Sequence, residues 1–175
     1  AIMLAHTLGN PFNLEKVVKI CKKNNLWLIE DNCDALGSKY KNKITGTFGD
    51  VAAFSFQGAK MMVAGEGGIL ITNNDDIFEN IKQYSEHGRS KDPNNTFWIE
   101  TIGYKYKMSN LQAALGLAQL ERVEELVDRK REINALYNQL LSKNDKVKVS
   151  TDLKGCKSIH WMTSIELIGA SFKDR

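Results

Sequence analysis

The chain has 175 residues, 42% hydrophobic and 26% charged with only two prolines, which excludes a disordered or collagen-like chain and a small stapled fold, and predicts one domain or slightly more around a real core. Its 24 Lys and Arg against 21 Asp and Glu leave a net charge of +3, spread without a basic tract, which argues against nucleic acid as a partner. No apolar run approaches the ~20 residues that span a bilayer and no charged segment leads into an apolar one at the start, so the reading is a cytoplasmic protein without a membrane partner.

Residues 1–5 (AIMLA) read as a buried strand running into the loop His6-Thr7-Leu8-Gly9-Asn10-Pro11. Asn13 is placed to cap a helix through Asn24, with Leu14, Val17, Val18 and Cys21 at the spacing of one apolar face. Leu26 to Ile29 reads as a second buried strand that ends at the acidic pair Glu30 and Asp31. Strand, helix and strand make a crossover unit, which forces parallel pairing. Val51 to Phe56 and Gly68 to Thr72 add two short strands on either side of a glycine-rich stretch, Gly65-Glu66-Gly67-Gly68. Such continuous apolar runs suit a sheet covered on both faces.

Asp75 to Glu86 reads as a helix, with His87 in its last turn and Gly88 as the C′ residue. Residues 89–107 read as a polar loop carrying Phe97, Trp98, Tyr104 and Tyr106. Ser109 and Gln112 form a capping box that opens one long helix to about Leu141, small and apolar at first and charged over Glu121 to Glu132, with pairs such as Glu125 and Arg129. A buried half joined to a solvated half marks a helix leaving one domain for another. We therefore expect residues 1–130 to belong to a large α/β domain and 131–175 to hold the helix end and an incomplete smaller domain, with strands at Val147 to Ser150 and Ile159 to Leu167. The chain opens inside a strand and stops shortly after another, so it reads as a fragment of a longer protein. Cys21, Cys33 and Cys156 stand far apart without metal-ligand spacing and read as free thiols.

In open α/β sheets ligands sit beyond the carboxyl ends of the strands, so the residues just after each strand are the informative ones. They are His6, then Asp31 and Asp34, then Ser55 and Lys60. A carboxylate at the end of a buried strand needs a cationic or N–H partner, although Asp31 also reads as a plain cap. Lys60, flanked by Gly58, Ala59, Met61 and Met62, is a candidate for amine chemistry, with a surface lysine as the alternative. The glycine stretch is a phosphate cradle or simply a turn. His6 faces a pocket or satisfies a loop carbonyl, and Arg89 beside His87 is placed to meet an anion. Taken together, a strand-end Asp, a Ser-x4-Lys and a glycine turn match the needs of pyridoxal phosphate, which requires a lysine for its Schiff base, an acid to keep the ring nitrogen protonated and donors for its phosphate.

The runs Glu30-Asp31-Asn32-Cys33-Asp34-Ala35-Leu36-Gly37, Gly46-Thr47-Phe48-Gly49-Asp50, Phe54-Ser55-Phe56 to Lys60, Gly65-Glu66-Gly67-Gly68, and Gly103 to Asn110 with Gln112-Ala113-Ala114 resemble, in that order, the DegT/DnrJ/EryC1/StrS sugar aminotransferase family. The resemblance implies an aspartate-aminotransferase-like fold of fold type I, with a mostly parallel sheet between helices. It also implies a homodimer with active sites at the subunit interface, and transfer of an amino group, from glutamate as the usual amino-acid donor, to a nucleotide-linked keto-sugar. By position, Lys60 becomes the Schiff-base lysine and proton shuttle, Asp31 the partner of the ring nitrogen and Ser55 a phosphate ligand. Asp34 stands where the family commonly has Gln beside the 3-hydroxyl, an awkward place for an anion. Lys105 stands where many members have an Asn that reaches the phosphate of the neighbouring subunit's cofactor, a task a lysine can perform. The strings at residues 5–11 and 30–38 are also similar to the family's sugar 3-dehydratases, but those carry histidine in place of the lysine. A non-catalytic structural or regulatory dimer is a third alternative, weakened by the presence of Asp31, Ser55 and Lys60 together.

Overall fold

The computed structural model describes residues 1–95 and 97–171. Residues 172–175, the last of the expected second domain, lie outside the described residues. Strand β1 (Ile2–Ala5) leads through a 3-10 turn into helix α1 (Leu14–Lys23), and strand β2 (Leu28–Asp31) follows. The Asn13 side chain accepts from the Lys16 N–H and caps α1, whose Leu14 and Cys21 are buried while Val17 and Val18 are half-buried. Burying a leucine completely contributes about 1.5–3 kcal/mol, which pins the helix to the sheet. The expected crossover is present: β1 and β2 pair in parallel, Ile2 opposite Leu28 through Ala5 opposite Asp31. Strand β2 starts two residues later than its apolar run suggests and contains both Glu30 and Asp31.

Two short strands missed by the pattern reading, β3 (Lys39–Tyr40) and β4 (Lys43–Ile44), form a hairpin turned by Lys41 and Asn42, both at positive φ. Strand β5 (Val51–Ser55) pairs in parallel with β2, and β6 (Gly68–Thr72) pairs antiparallel with β5, giving the order β1-β2-β5-β6. The sheet is thus mostly parallel with one antiparallel edge. That edge is not covered as expected, since Ile69 and Leu70 are each 49% exposed.

Helix α2 (Asp75–Ser85) is capped by Asn74. It ends one residue earlier than expected: Glu86 is the C-cap and His87, at φ 67, is the C′ residue, with the Gly88 N–H closing back on the Gln83 carbonyl. Gly88 also follows at positive φ, and a Cβ there would run into the Thr101 carbonyl.

The long helix is two helices, α3 (Asn110–Leu120) and α4 (Val123–Leu141). The Ser109–Gln112 capping box is present. At the break the Arg122 N–H bonds the Gln119 carbonyl in a tight turn, and the Arg122 guanidinium reaches Glu125 at 2.8 and 3.0 Å. The turn redirects α4 so that Val123, Leu126 and Val127 pack against Met61, Ile159 and Trp161. Burial is therefore the reverse of the expectation: the apolar α3 buries only Gly116 and leaves Leu111 86% exposed, while the charged α4 buries Val127 and Asn134. The pairs along α4 among the described residues are Arg122–Glu125, Asp128–Arg131 and Arg129–Glu132, all at i,i+3, not Glu125 with Arg129.

Strand β7 (Val147–Val149) pairs with β9 (Ile165–Leu167), and β8 (Cys156–Lys157) between them joins β3. The strand expected from Ile159 covers only Ile165–Leu167, because His160 takes φ 48 and turns the chain at that point. Residues 156–161 dock onto the first loop: the Ser38 and Ser158 hydroxyls both donate to the Gly9 carbonyl, and the Ile159 N–H donates to Ser38 Oγ. All three cysteines are free. Among the described residues no helix is long and apolar enough to cross a membrane.

Candidate active site

The parallel strands β1, β2 and β5 deliver their carboxyl ends to one edge of the sheet. There Lys60 Nζ lies 2.8 Å from Asp34 Oδ1, with both side chains about four-fifths buried. The other carboxylate oxygen of Asp34 accepts from the Leu8 N–H at 3.3 Å, so the loop after β1 helps to aim it. The awkward anion at this position has acquired a cation.

Asp31 is the last residue of β2, opposite Ala5 and Ala53, and its Oδ1 accepts from the Cys33 N–H at 3.0 Å. Burial pushes the Cys33 thiol up to about 11, helped by the Asp31 hydrogen bond and charge and by Asp34, with Lys60 opposing. The thiol therefore stays protonated at neutral pH. Ser55 ends β5, its hydroxyl accepting from the Gln57 N–H at 3.3 Å. Next to it, among the described residues, a Cβ on Gly58 would have only the Gly65 carbonyl within 4 Å, and one on Gly65 would have nothing. The glycines leave open space beside the lysine loop.

Lys105 does not join this cluster. It is exposed, bridged through its backbone to Glu86, and lines a shallow cleft with Ser85, His87, Arg89, Lys107 and Ser109. Arg89 lies over the Phe97 ring at 5.5 Å.

Three residues escaped the sequence reading. Glu30 is fully buried and gathers the Gly46, Phe48 and Gly49 N–H groups at 2.9, 2.7 and 2.7 Å, with His6 Nε2 at 3.2 Å. Burial raises its pKa, but these donors outweigh that and hold it below the usual carboxylate range. His6 thus satisfies a carboxylate, not a loop carbonyl. Since His6 Nδ1 accepts from the Phe12 N–H, Nε2 carries the proton and donates to Glu30. The signal for Glu30 was a charge inside a strand facing a Gly-x-x-Gly turn, where Gly49 leaves no room for a Cβ beside the Leu28 carbonyl at 2.6 Å. Cys33 lay between two recognised aspartates. Trp161, whose ring lies 4.4 Å from Lys60 Nζ, had no local signal, being far from Lys60 in sequence.

The family pattern described as the DegT/DnrJ/EryC1/StrS aminotransferase family matches residues 1–175. The chain belongs to this family. Within it, the chain is 41% identical over 165 residues to the GDP-perosamine synthase of Escherichia coli O157:H7, covering 94% of this chain and 44% of that protein. It is 36% identical over 154 residues to a dTDP-4-dehydro-2,6-dideoxy-D-glucose 3-dehydratase of Saccharopolyspora spinosa, covering 75% of this chain and 33% of that protein. The solved structure of Helicobacter pylori PseC, an aminotransferase involved in the biosynthesis of pseudoaminic acid, superposes with a TM-score of 0.90 at 30% identity, covering 97% of this chain and 46% of that one. The fold is that of the family's fold type I aminotransferases, and the chain spans less than half the length of these relatives.

Proposed function

We propose that the whole protein is a pyridoxal-phosphate-dependent aminotransferase that moves an amino group from an amino acid, glutamate, to a nucleotide-linked keto-sugar. It acts as a cytoplasmic homodimer with shared sites. The observation that carries this reading is the Lys60 amine held by Asp34 at the carboxyl edge of the parallel strands. Relatives named as a GDP-perosamine synthase and as a sugar aminotransferase support it. The exposed apolar face of α3 supports a second copy.

The residues present fit the cofactor. A primary amine stands on a glycine-rich loop with open space beside it, one carboxylate ends the central strand and a hydroxyl ends its neighbour. When bound, the cofactor supplies an electron sink for cleaving a C–H bond next to nitrogen. Lys60 Nζ would provide its attachment and, when displaced, would take the proton from the donor Cα in the first half of the reaction and return one to the sugar carbon in the second, exchanging it each time with the cofactor. Asp31 would hold a proton on the ring nitrogen by its negative charge, and the Ser55 hydroxyl would donate to the phosphate. Asp34, with one oxygen on Lys60 and one on the Leu8 N–H, sets where the amine waits.

A second reading, sugar 3-dehydration, draws on the similarity to the Saccharopolyspora relative. The Lys60 amine weighs against it, because it retains the amine that a dehydratase must let go. Product analysis separates the two: the whole protein, given glutamate and a nucleotide-linked 4-keto-6-deoxy sugar, yields 2-oxoglutarate and an amino sugar. Both routes consume glutamate, so the fate of the nitrogen decides: a deoxygenated keto-sugar with the nitrogen released as ammonia would reverse the choice.

A further inference from the structure

Trp161 takes no part in the reaction just described, yet it is fixed to the lysine loop on both sides of Lys60. Its indole Nε1–H donates to the carbonyl of Ala59 at 2.8 Å, and it packs against the cluster of Met61, Val127 and Ile159. Its own carbonyl accepts from Lys130 Nζ at 3.0 Å, which ties it to α4. The turn that delivers it is held by His160, at φ 48, with its N–H on Ser158 Oγ and its Nε2 3.2 Å from Asp152. With the ring so anchored, Lys60 Nζ lies 4.4 Å from its centroid while also 2.8 Å from Asp34. An ammonium over an indole face in a partly desolvated setting is attracted to it, so ring and carboxylate favour the same position of the amine.

We propose that Trp161 is a positioning residue for Lys60, a π-face that keeps the ammonium on Asp34 whenever the amine is not engaged by a ligand. The use of the lysine rests on the proposed function; the clamp does not. Through it, the C-terminal segment that carries Trp161 sets the place from which Lys60 acts.

The test is competitive acetylation of the whole protein, freed of cofactor, with a limiting amount of acetic anhydride. Mass spectrometry reads Lys60 against the exposed Lys23 in the same sample. Trp161→Leu raises the relative labelling of Lys60 three- to tenfold. Trp161→Phe keeps an aromatic face, though a smaller and weaker one, loses the N–H tether, and raises it about twofold. Asp34→Asn raises it as well, and adding Trp161→Leu to Asp34→Asn brings little more, because both act on one clamp. Trp161→Met replaces Trp161→Leu should the latter not fold. Three results would overturn the proposal: unchanged labelling in the apolar variants, labelling of Trp161→Phe as fast as that of Trp161→Leu, or factors that multiply in the double variant as for simple shielding. Failure to attach pyridoxal phosphate at Lys60 would remove the proposed function and leave these outcomes standing.

Discussion

The substitution Glu30→Gln probes the buried carboxylate that organises the turn beneath the site. In the native chain Oε1 accepts from Phe48 and Gly49 and Oε2 accepts from Gly46 and His6. A glutamine has one carbonyl oxygen, so whichever way it flips, two donors face an NH2 group. His6 cannot relieve the clash by changing tautomer, since a proton on Nδ1 would meet the Phe12 N–H. Two buried donors without acceptors cost about 1–3 kcal/mol each, less what is recovered by not burying a charge, leaving a net loss of about 2–4 kcal/mol. Hydrogen–deuterium exchange of peptides spanning residues 45–50 in the whole protein reads this locally, and the expected loss of protection is roughly 30- to 900-fold. The sign with pH follows from the lowered pKa of Glu30: its contribution is complete above the unfolded value of 4.5 and is lost as pH falls below it. The gap between native and variant should therefore be constant near neutrality and close in acid. Protection within threefold of native at pH 7, or a gap that widens in acid, would refute the reasoning.

Further expectations concern neighbouring residues. Asp31→Asn preserves shape and removes the charge, so kcat should fall by at least about 100-fold while melting temperature and cofactor content stay near native; native activity moves the role elsewhere. Mixing Lys105→Ala with Lys60→Ala subunits of the whole protein should restore up to about a quarter of native activity, because Lys105 lies apart from Lys60 within one chain and is proposed to serve the other subunit. No recovery despite demonstrated subunit exchange contradicts that role. Gly88→Ala places a Cβ against the Thr101 carbonyl at a left-handed position, and urea unfolding should show a loss of at least about 2 kcal/mol. Burial chiefly lowers the His160 pKa, aided by Arg131 and opposed by Asp152. Its folded form binds fewer protons, so stability should fall as pH drops below the unfolded value of 6.5, and His160→Gln should remove that component.

What could be read from the sequence was local or carried by an ordered motif set. The β1–α1–β2 unit followed from two apolar runs and one helical face, and the strand-end positions of Asp31 and Ser55 followed from those runs. The pairing of Lys60 with Asp34 was not legible, because it depends on how the loops after β2 and β5 converge. The two-residue strands β3 and β4 carry no period to detect. The break at Glu121 and Arg122 involves neither glycine nor proline and is driven by the packing of Val127 on Met61 and Ile159. The apolar face of α3 is as apolar as expected and yet exposed, since periodicity reports that a face is to be covered and not what covers it.

The most direct test of the account treats the whole protein with pyridoxal phosphate, reduces it with borohydride and maps the modified peptide by mass spectrometry. The account predicts one pyridoxyl group on Lys60, with Lys60→Ala and Lys60→Arg unmodified there and inactive. A pyridoxyl group fixed specifically on another lysine, or none on the native protein, would contradict it.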